Sequence, residues 1–198
     1  MFFLWRIPLF LLLLARLILC NLLLFFDRDC GITMKRGATE ILKRLDSGDL
    51  KTDHPVSMFA AIADAVSASM GGTSGVLIEL MFRKMSSSLA REEEAIGPSE
   101  LMNVVRAGTD AIILYGGANV GSRTMLDALI PAADELLASK NVAAAAAKAK
   151  EGADSTASLK AASAGRSNYL SEETLVGTPD PGAVAVSLVL QELAKVVA

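Results

Sequence analysis

Apolar residues recur every three or four positions along most of this chain, the period that lays a hydrophobic stripe down one face of an α-helix. Ala38, Ile41, Leu42 and Leu45 make one stripe, ended by the turn cluster Asp46-Ser47-Gly48. Phe59, Ile62, Ala63 and Val66 make a second over Val56 to Met70, stopped by Gly71-Gly72. The pattern predicts a third helix from Val76 to about Glu94. A fourth opens at Pro98-Ser99 and carries Leu101, Val104, Val105, Ile112 and Ile113 as far as Tyr115-Gly116-Gly117. Ser122 to Leu137 and the alanine-rich stretch Asn141 to Ala164 read as two more, alanine being the strongest helix former. Pro181 starts the last, with Val184, Val186, Leu188, Leu190, Leu193 and Val196 as its apolar positions. No alternating strand run and no fixed-period repeat is visible. The expected fold class is therefore all-α, an up-and-down bundle of amphipathic helices rather than a solenoid.

The first 26 residues break this pattern, with Arg6, Arg16 and Asn21 as their only strongly polar side chains. Such a run is long enough to cross a bilayer, for which about 20 apolar residues suffice. Cys20 to Phe26 offer no small-residue cleavage site, which speaks against a secretory signal. Arg16 stands mid-run, where a charge costs about 2.5–3.5 kcal/mol on insertion. Three readings stay open for residues 1–26: an atypical segment replacing a first helix, a signal anchor, or an apolar core helix. Residues 27–198 are expected to form one domain, since 198 residues with 52% hydrophobic content can bury one good core. A net charge of −3, with basic residues scattered and not interleaved by aromatics, excludes a nucleic-acid partner. Cys20 and Cys30 make no disulfide framework, so a reducing, cytoplasmic setting is expected, with anchorage through residues 1–26 as the alternative.

The candidate chemistry lies in three glycine-bearing stretches: Met70 to Gly75 (MGGTSG), Tyr115 to Pro131 (YGGANVGSRTMLDALIP), and Asp180 to Ala183 (DPGA). Glycine turns that enter helices present backbone N–H groups to an anion. There is no GxxxxGK[ST] and no GxGxxG after a strand-like run, so neither a Walker-type NTPase nor a Rossmann domain is supported. Asp27 and Asp29, two apart, share one side of an extended loop and suit Mg²⁺ with phosphate oxygens; a solvated acidic turn is the other reading. The glycines serve equally as interhelical turns, Thr124 and Met125 as core, and Asp180-Pro181-Gly182 as a plain helix start. His54 before Pro55 reads as a surface residue, and Glu92-Glu93-Glu94 as a solvated helix face.

Taken in order, Asp27 to Met34 (DRDCGITM), MGGTSG, Tyr115-Gly116-Gly117, Arg123 to Leu129 (RTMLDAL), Gly165 to Tyr169 (GRSNY) and DPGA resemble the nucleotide-binding domain of the dihydroxyacetone (glycerone) kinases. The resemblance runs from Asp27 to the C-terminus. It implies an antiparallel barrel of amphipathic helices that holds ATP or ADP with Mg²⁺ on its loops. Asp27 and Asp29 are then the metal ligands. Gly31, Ile32, Thr33 and Met34 touch the nucleotide, and Gly72, Thr73, Ser74 and Gly75 cradle its phosphates. Gly116, Thr124 and Met125 line the adenosine pocket, and Asp180, Pro181 and Gly182 close over it. Arg166, counted among the nucleotide-binding residues, and Arg123 either meet phosphate or hold these loops, roles that sequence does not separate.

The implied activity is phosphoryl transfer to dihydroxyacetone. In the family the triose is bound through a histidine of a separate ketose-binding domain or subunit, and His54 lies in an unrelated loop. A phosphocarrier protein is a further implied partner. The rival readings are a membrane-tethered nucleotide-binding pseudokinase and a non-catalytic regulatory partner. The family pattern has glycines where this chain has Phe26 and Arg28, and a further aspartate where it has Leu22. One carboxylate fewer beside two dications, and one added cation, weaken metal binding.

Overall fold

The structure, a computed structural model, describes residues 28–90 and 96–197. The helical period is realised there in eight α-helices: α1 (Arg28–Ser47), α2 (Pro55–Ser69), α3 (Gly72–Leu89), α4 (Pro98–Gly116), α5 (Leu126–Ser139), α6 (Val142–Ser155), α7 (Glu172–Leu175) and α8 (Pro181–Val197). Short 3-10 turns stand at Thr156–Ser158 and Arg166–Tyr169, and no strand occurs among the described residues. The fold is all-α, as the periodicity predicts. The chain divides into two compact units, one ending at residue 111 and the other beginning at residue 112. The apolar segment 1–26 and Glu92-Glu93-Glu94 lie outside the described residues. Among those described, no helix is long and apolar enough to cross a membrane.

In the first unit, α1 ends where Gly48 takes φ 79 and donates to the carbonyl of Leu45. At its other end α1 reaches back through Gly31–Met34 to Arg28, where an extended loop is expected from sequence. Packing explains the difference. Met34 lies against the same buried cluster as Ile41 and Leu45, so the stripe continues one turn further and outweighs the cost of about 1 kcal/mol for a glycine inside a helix. Only Met70 and Gly71 separate α2 from α3, so α3 runs back along α2. Between them Leu50, Met58, Ile62, Val66 and Met70 are buried, and the rings of Phe59 and Phe82 stack 6.2 Å apart. Met85, Leu89 and Val104 form a second cluster that seats α4.

The second unit is built on small side chains. α5 and α6 are joined by Lys140, left-handed at φ 55, and Asn141, whose Oδ1 accepts from the N–H groups of Ala143 and Ala144. Ala128, Ala132, Ala145, Ala149, Ala153 and Ala183 form the buried seam of α5, α6 and α8. A Cβ on Gly152 would stand 2.0 Å from the carbonyl oxygen of Asp127. That carbonyl has no helical donor four residues on, because Pro131 carries no N–H.

In the second unit, three boundaries or faces differ from the sequence expectation. α5 begins at Leu126 and not at Ser122, because Gly117 (φ 66), Gly121 (φ 87) and Arg123 (φ 61) hold backbone angles that a right-handed helix excludes. α6 ends at Ser155 and not at Ala164; Thr156 Oγ1 there accepts from the N–H of Asp180 and ties the helix end to the start of α8. On α8 the deepest positions are Ala183, Ala185, Ser187 and Glu192, while Val184, Val186 and Leu190 pack beside them partly buried. A seam lined with alanine admits only small side chains at its centre.

Candidate functional site

In the first unit the glycine turn is set by close approach. Met70 ends α2, and a Cβ on Gly75 would lie 2.4 Å from its carbonyl oxygen. The Met70 side chain reaches Gly37 of α1, so the turn and the helix that carries Gly31–Met34 share an anchor. Gly72 takes φ 73 and reverses the chain within one residue, which places Thr73, Ser74 and Gly75 in the first turn of α3 and not in a loop before it. No side chain caps this helix end. A Cβ on Gly71 or Gly72 would meet nothing within 4 Å, and Thr73 and Ser74 are exposed. The first turn of α3, whose N–H groups lie at the positive end of the helix dipole, is therefore exposed and uncapped by any side chain.

The other first-unit candidates lie on α1. Ile32 is exposed, Thr33 Oγ1 accepts from Arg36 Nη2, and Met34 packs inward. Asp27 and the side chain of Asp29 lie outside the described residues. Among those described, no group of three His, Cys, Asp or Glu could hold a metal ion.

In the second unit, two loops are tied into one structure. Asp127, buried at the start of α5, accepts from the N–H of Gly121 through Oδ1 (2.6 Å) and from that of Thr124 through Oδ2 (2.7 Å). The carboxylate thus fixes the loop that bears Thr124 and Met125. Arg123, 2% exposed, turns inward. Its Nη1 donates to Ser167 Oγ at 2.9 Å, and its Nη2 donates to the carbonyls of Thr178 (2.6 Å) and Leu175 (3.3 Å). Ser167 in turn donates to Asp180 Oδ1 at 3.3 Å, which lies 3.9 Å from Arg123 Nη1.

Asp180 is the N-cap of α8: Oδ2 accepts from the N–H of Ala183 at 2.9 Å, and Pro181 opens the helix. Burial pushes its carboxyl above the usual aspartate range. The Ala183 N–H, the Arg123 charge and the Ser167 hydroxyl oppose that rise without cancelling it. A Cβ on Gly182 would stand 3.3 Å from the N of Met125, and one on Gly165 would stand 4.0 Å from Thr124 Cγ2.

Thr124, Met125, Asp180 and Gly182 are thus brought together. Gly116 closes α4, and the following residue donates to Ile113 O. The two arginines separate: Arg123 is consumed in holding the loops, and Arg166 is exposed beside Gly165. Sequence reasoning gave Asp127, Thr156 and Ser167 no roles of their own. Asp127 carried one usable signal, an acid four residues after Arg123 at a helix start. Thr156 and Ser167 carried none.

The DAK2 domain family matches residues 27–195 of this chain. A dihydroxyacetone kinase of Citrobacter freundii is 39% identical over 170 residues, covering 85% of this chain and 30% of that protein. One of Komagataella pastoris is 34% identical over 175 residues, covering 83% and 29%. The triokinase/FMN cyclase of Homo sapiens is 34% identical over 177 residues, covering 86% and 30%. The crystal structure of the C. freundii dihydroxyacetone kinase in complex with AMP-PNP and Mg²⁺ is similar at a TM-score of 0.77 and 29% identity, over 95% of this chain and 33% of that one. This chain spans about 30% of the length of the curated relatives it matches.

Proposed function

The chain belongs to the DAK2 domain family, and on that premise we propose that it holds ATP or ADP with Mg²⁺ for phosphoryl transfer to dihydroxyacetone. The observation that carries this reading is the glycine-opened N-terminus of α3, which no side chain caps and whose residues Gly71 to Ser74 are exposed, with open space beside Gly71 and Gly72. Phosphate oxygens accept from such N–H groups without any basic side chain, and the exposed Ser74 hydroxyl adds a donor. Thr124 and Met125, with the Asp180-Pro181-Gly182 turn against them, are assigned to the nucleoside, and the guanidinium of Arg166 to phosphate charge. Asp27 and Asp29 are assigned to the Mg²⁺ that accompanies the phosphates and neutralises their charge. Transfer of this kind rests on positioning and electrostatics, so no protein nucleophile is required.

The triose comes from a ketose-binding domain or subunit, consistent with relatives nearly three times this length. Calorimetric titration of ADP with Mg²⁺, run beside a coupled ADP-release assay, tests the reading. Binding is expected for the chain alone, and turnover of dihydroxyacetone only after a ketose-binding subunit is added. A folded chain that gives no binding at about 1 mM ADP, where even a contribution of 4 kcal/mol would register, refutes it.

A further inference from the structure

Arg123 combines three unfavourable features. Its guanidinium is buried, its backbone stands at φ 61, and its Nε has no hydrogen-bond partner among the described residues. A buried charge, a left-handed non-glycine residue and an unmade hydrogen bond each cost stability. An apolar side chain would fill the same space without the buried charge or the unmade hydrogen bond. Strain of this kind persists where the geometry it enforces is used.

The geometry in question is that of one segment. Nη1 and Nη2 reach Ser167, Leu175 and Thr178, and through Ser167 the network continues to Asp180. These residues bound the stretch from Arg166 to the helix start at Asp180, in which positions 168–174 are all exposed. Other bonds that tie it to the rest of the unit include Gly177 N–H to Ala157 O at 2.8 Å, Asp180 N–H to Thr156 Oγ1 at 2.7 Å and the exposed pair of Lys160 Nζ with Glu172 Oε1 at 3.2 Å.

We infer that Arg123 is a positioning residue for nucleotide binding: it touches no nucleotide, and it pins residues 166–180 so that the Asp180-Pro181-Gly182 turn lies against Thr124 and Met125. The inference rests on the proposed function. When only a fraction of molecules holds the binding geometry, the apparent Kd rises by the inverse of that fraction. A lysine keeps the charge but cannot span three acceptors, because its ammonium lacks the planar fork.

The test measures ADP–Mg affinity by calorimetry, thermal midpoint, and amide exchange of residues 166–180 on the full chain. Three variants are compared: Arg123→Lys, Ser167→Ala and Leu136→Ala, the last lying in the alanine seam away from these loops. Arg123→Lys should weaken ADP about tenfold or more and speed exchange in the segment, with saturating ADP restoring protection. Ser167→Ala, which removes one arm, should weaken ADP about two- to fivefold. Leu136→Ala should lower the midpoint and leave affinity unchanged, the pattern that Arg123→Lys would also give if Arg123 were merely structural. Wild-type affinity in a folded Arg123→Lys overturns the inference. If that variant does not fold, wild-type affinity in Ser167→Ala overturns it. Failure of the unaltered chain to bind ADP sinks the proposed function instead, and the positioning role with it.

Discussion

Three glycines within five residues stand in the turn that opens α3, and the structure gives Gly75 and Gly72 different reasons to be glycine and Gly71 none of its own. A Cβ on Gly75 would lie 2.4 Å from Met70 O and 2.8 Å from its carbonyl carbon. An ordinary C···O contact is about 3.3 Å, so backbone must give way by about 0.9 Å. Overpacking of that kind costs about 1–3 kcal/mol, and alanine returns at most about 1 kcal/mol in helix propensity. Gly75→Ala should therefore destabilise by about 1–2 kcal/mol, or about 2–8 °C in the thermal midpoint of a chain this size. Gly72→Ala meets no atom, but φ 73 costs a side-chain-bearing residue about 1–2 kcal/mol. Gly71 has φ −93 and open space, so Gly71→Ala should be neutral or stabilise by up to about 1 kcal/mol.

Thermal and urea unfolding of the three variants gives the order. ADP titration then separates structure from use: Gly71→Ala should bind nucleotide several times more weakly at unchanged stability, since its Cβ enters the space a phosphate needs. A Gly71→Ala as unstable as Gly75→Ala, or a Gly75→Ala more stable than the parent, refutes the reasoning. Unchanged affinity in Gly71→Ala removes that residue from the phosphate site.

Further outcomes follow from other positions. Burial raises the carboxyl of Asp180, so the folded chain binds that proton more tightly than the unfolded one. Its contribution to stability is full below the ordinary carboxylate range and falls as pH rises through the raised value. Asp180→Asn keeps the N-cap and should gain midpoint relative to the parent between pH 4 and pH 7, and a relative loss over that range contradicts the assignment. Gly152→Ala should lower stability by about 1–3 kcal/mol in urea unfolding despite its propensity gain, because both close neighbours are backbone. Restoring the family pattern with Leu22→Asp, Phe26→Gly and Arg28→Gly should raise Mg²⁺-dependent ADP affinity about tenfold, about 1.4 kcal/mol. Unchanged metal dependence in that folded variant removes Asp27 and Asp29 from the metal site.

The helices were legible because their apolar stripes follow from spacing alone, and the starts of α4 and α8 because Pro98 and Pro181 announce them. The starts of α3 and α5 were not. They depend on left-handed backbone at Gly72 and Arg123, and an arginine in that conformation leaves no mark in a sequence. On α8 the large valines drew attention, while a seam of alanines had reserved the centre for Ala183 and Ala185. The glycine turn could be read as an anion site because its chemistry is local. The bonds from Arg123 cross up to 55 residues, which no local pattern reveals.

Asp127 has two neighbours that pull on different parts of it. Its carboxylate holds the loop carrying Thr124, while its carbonyl, left without a donor by Pro131, is the surface on which Gly152 of α6 rests. Positions 127, 131 and 152 are therefore not free to drift independently. A side chain larger than hydrogen at 152 would press on the main chain of the residue that shapes the loop. Among homologues, the three sites should change together, and a protein engineer who alters one for stability should expect to retune the others for binding.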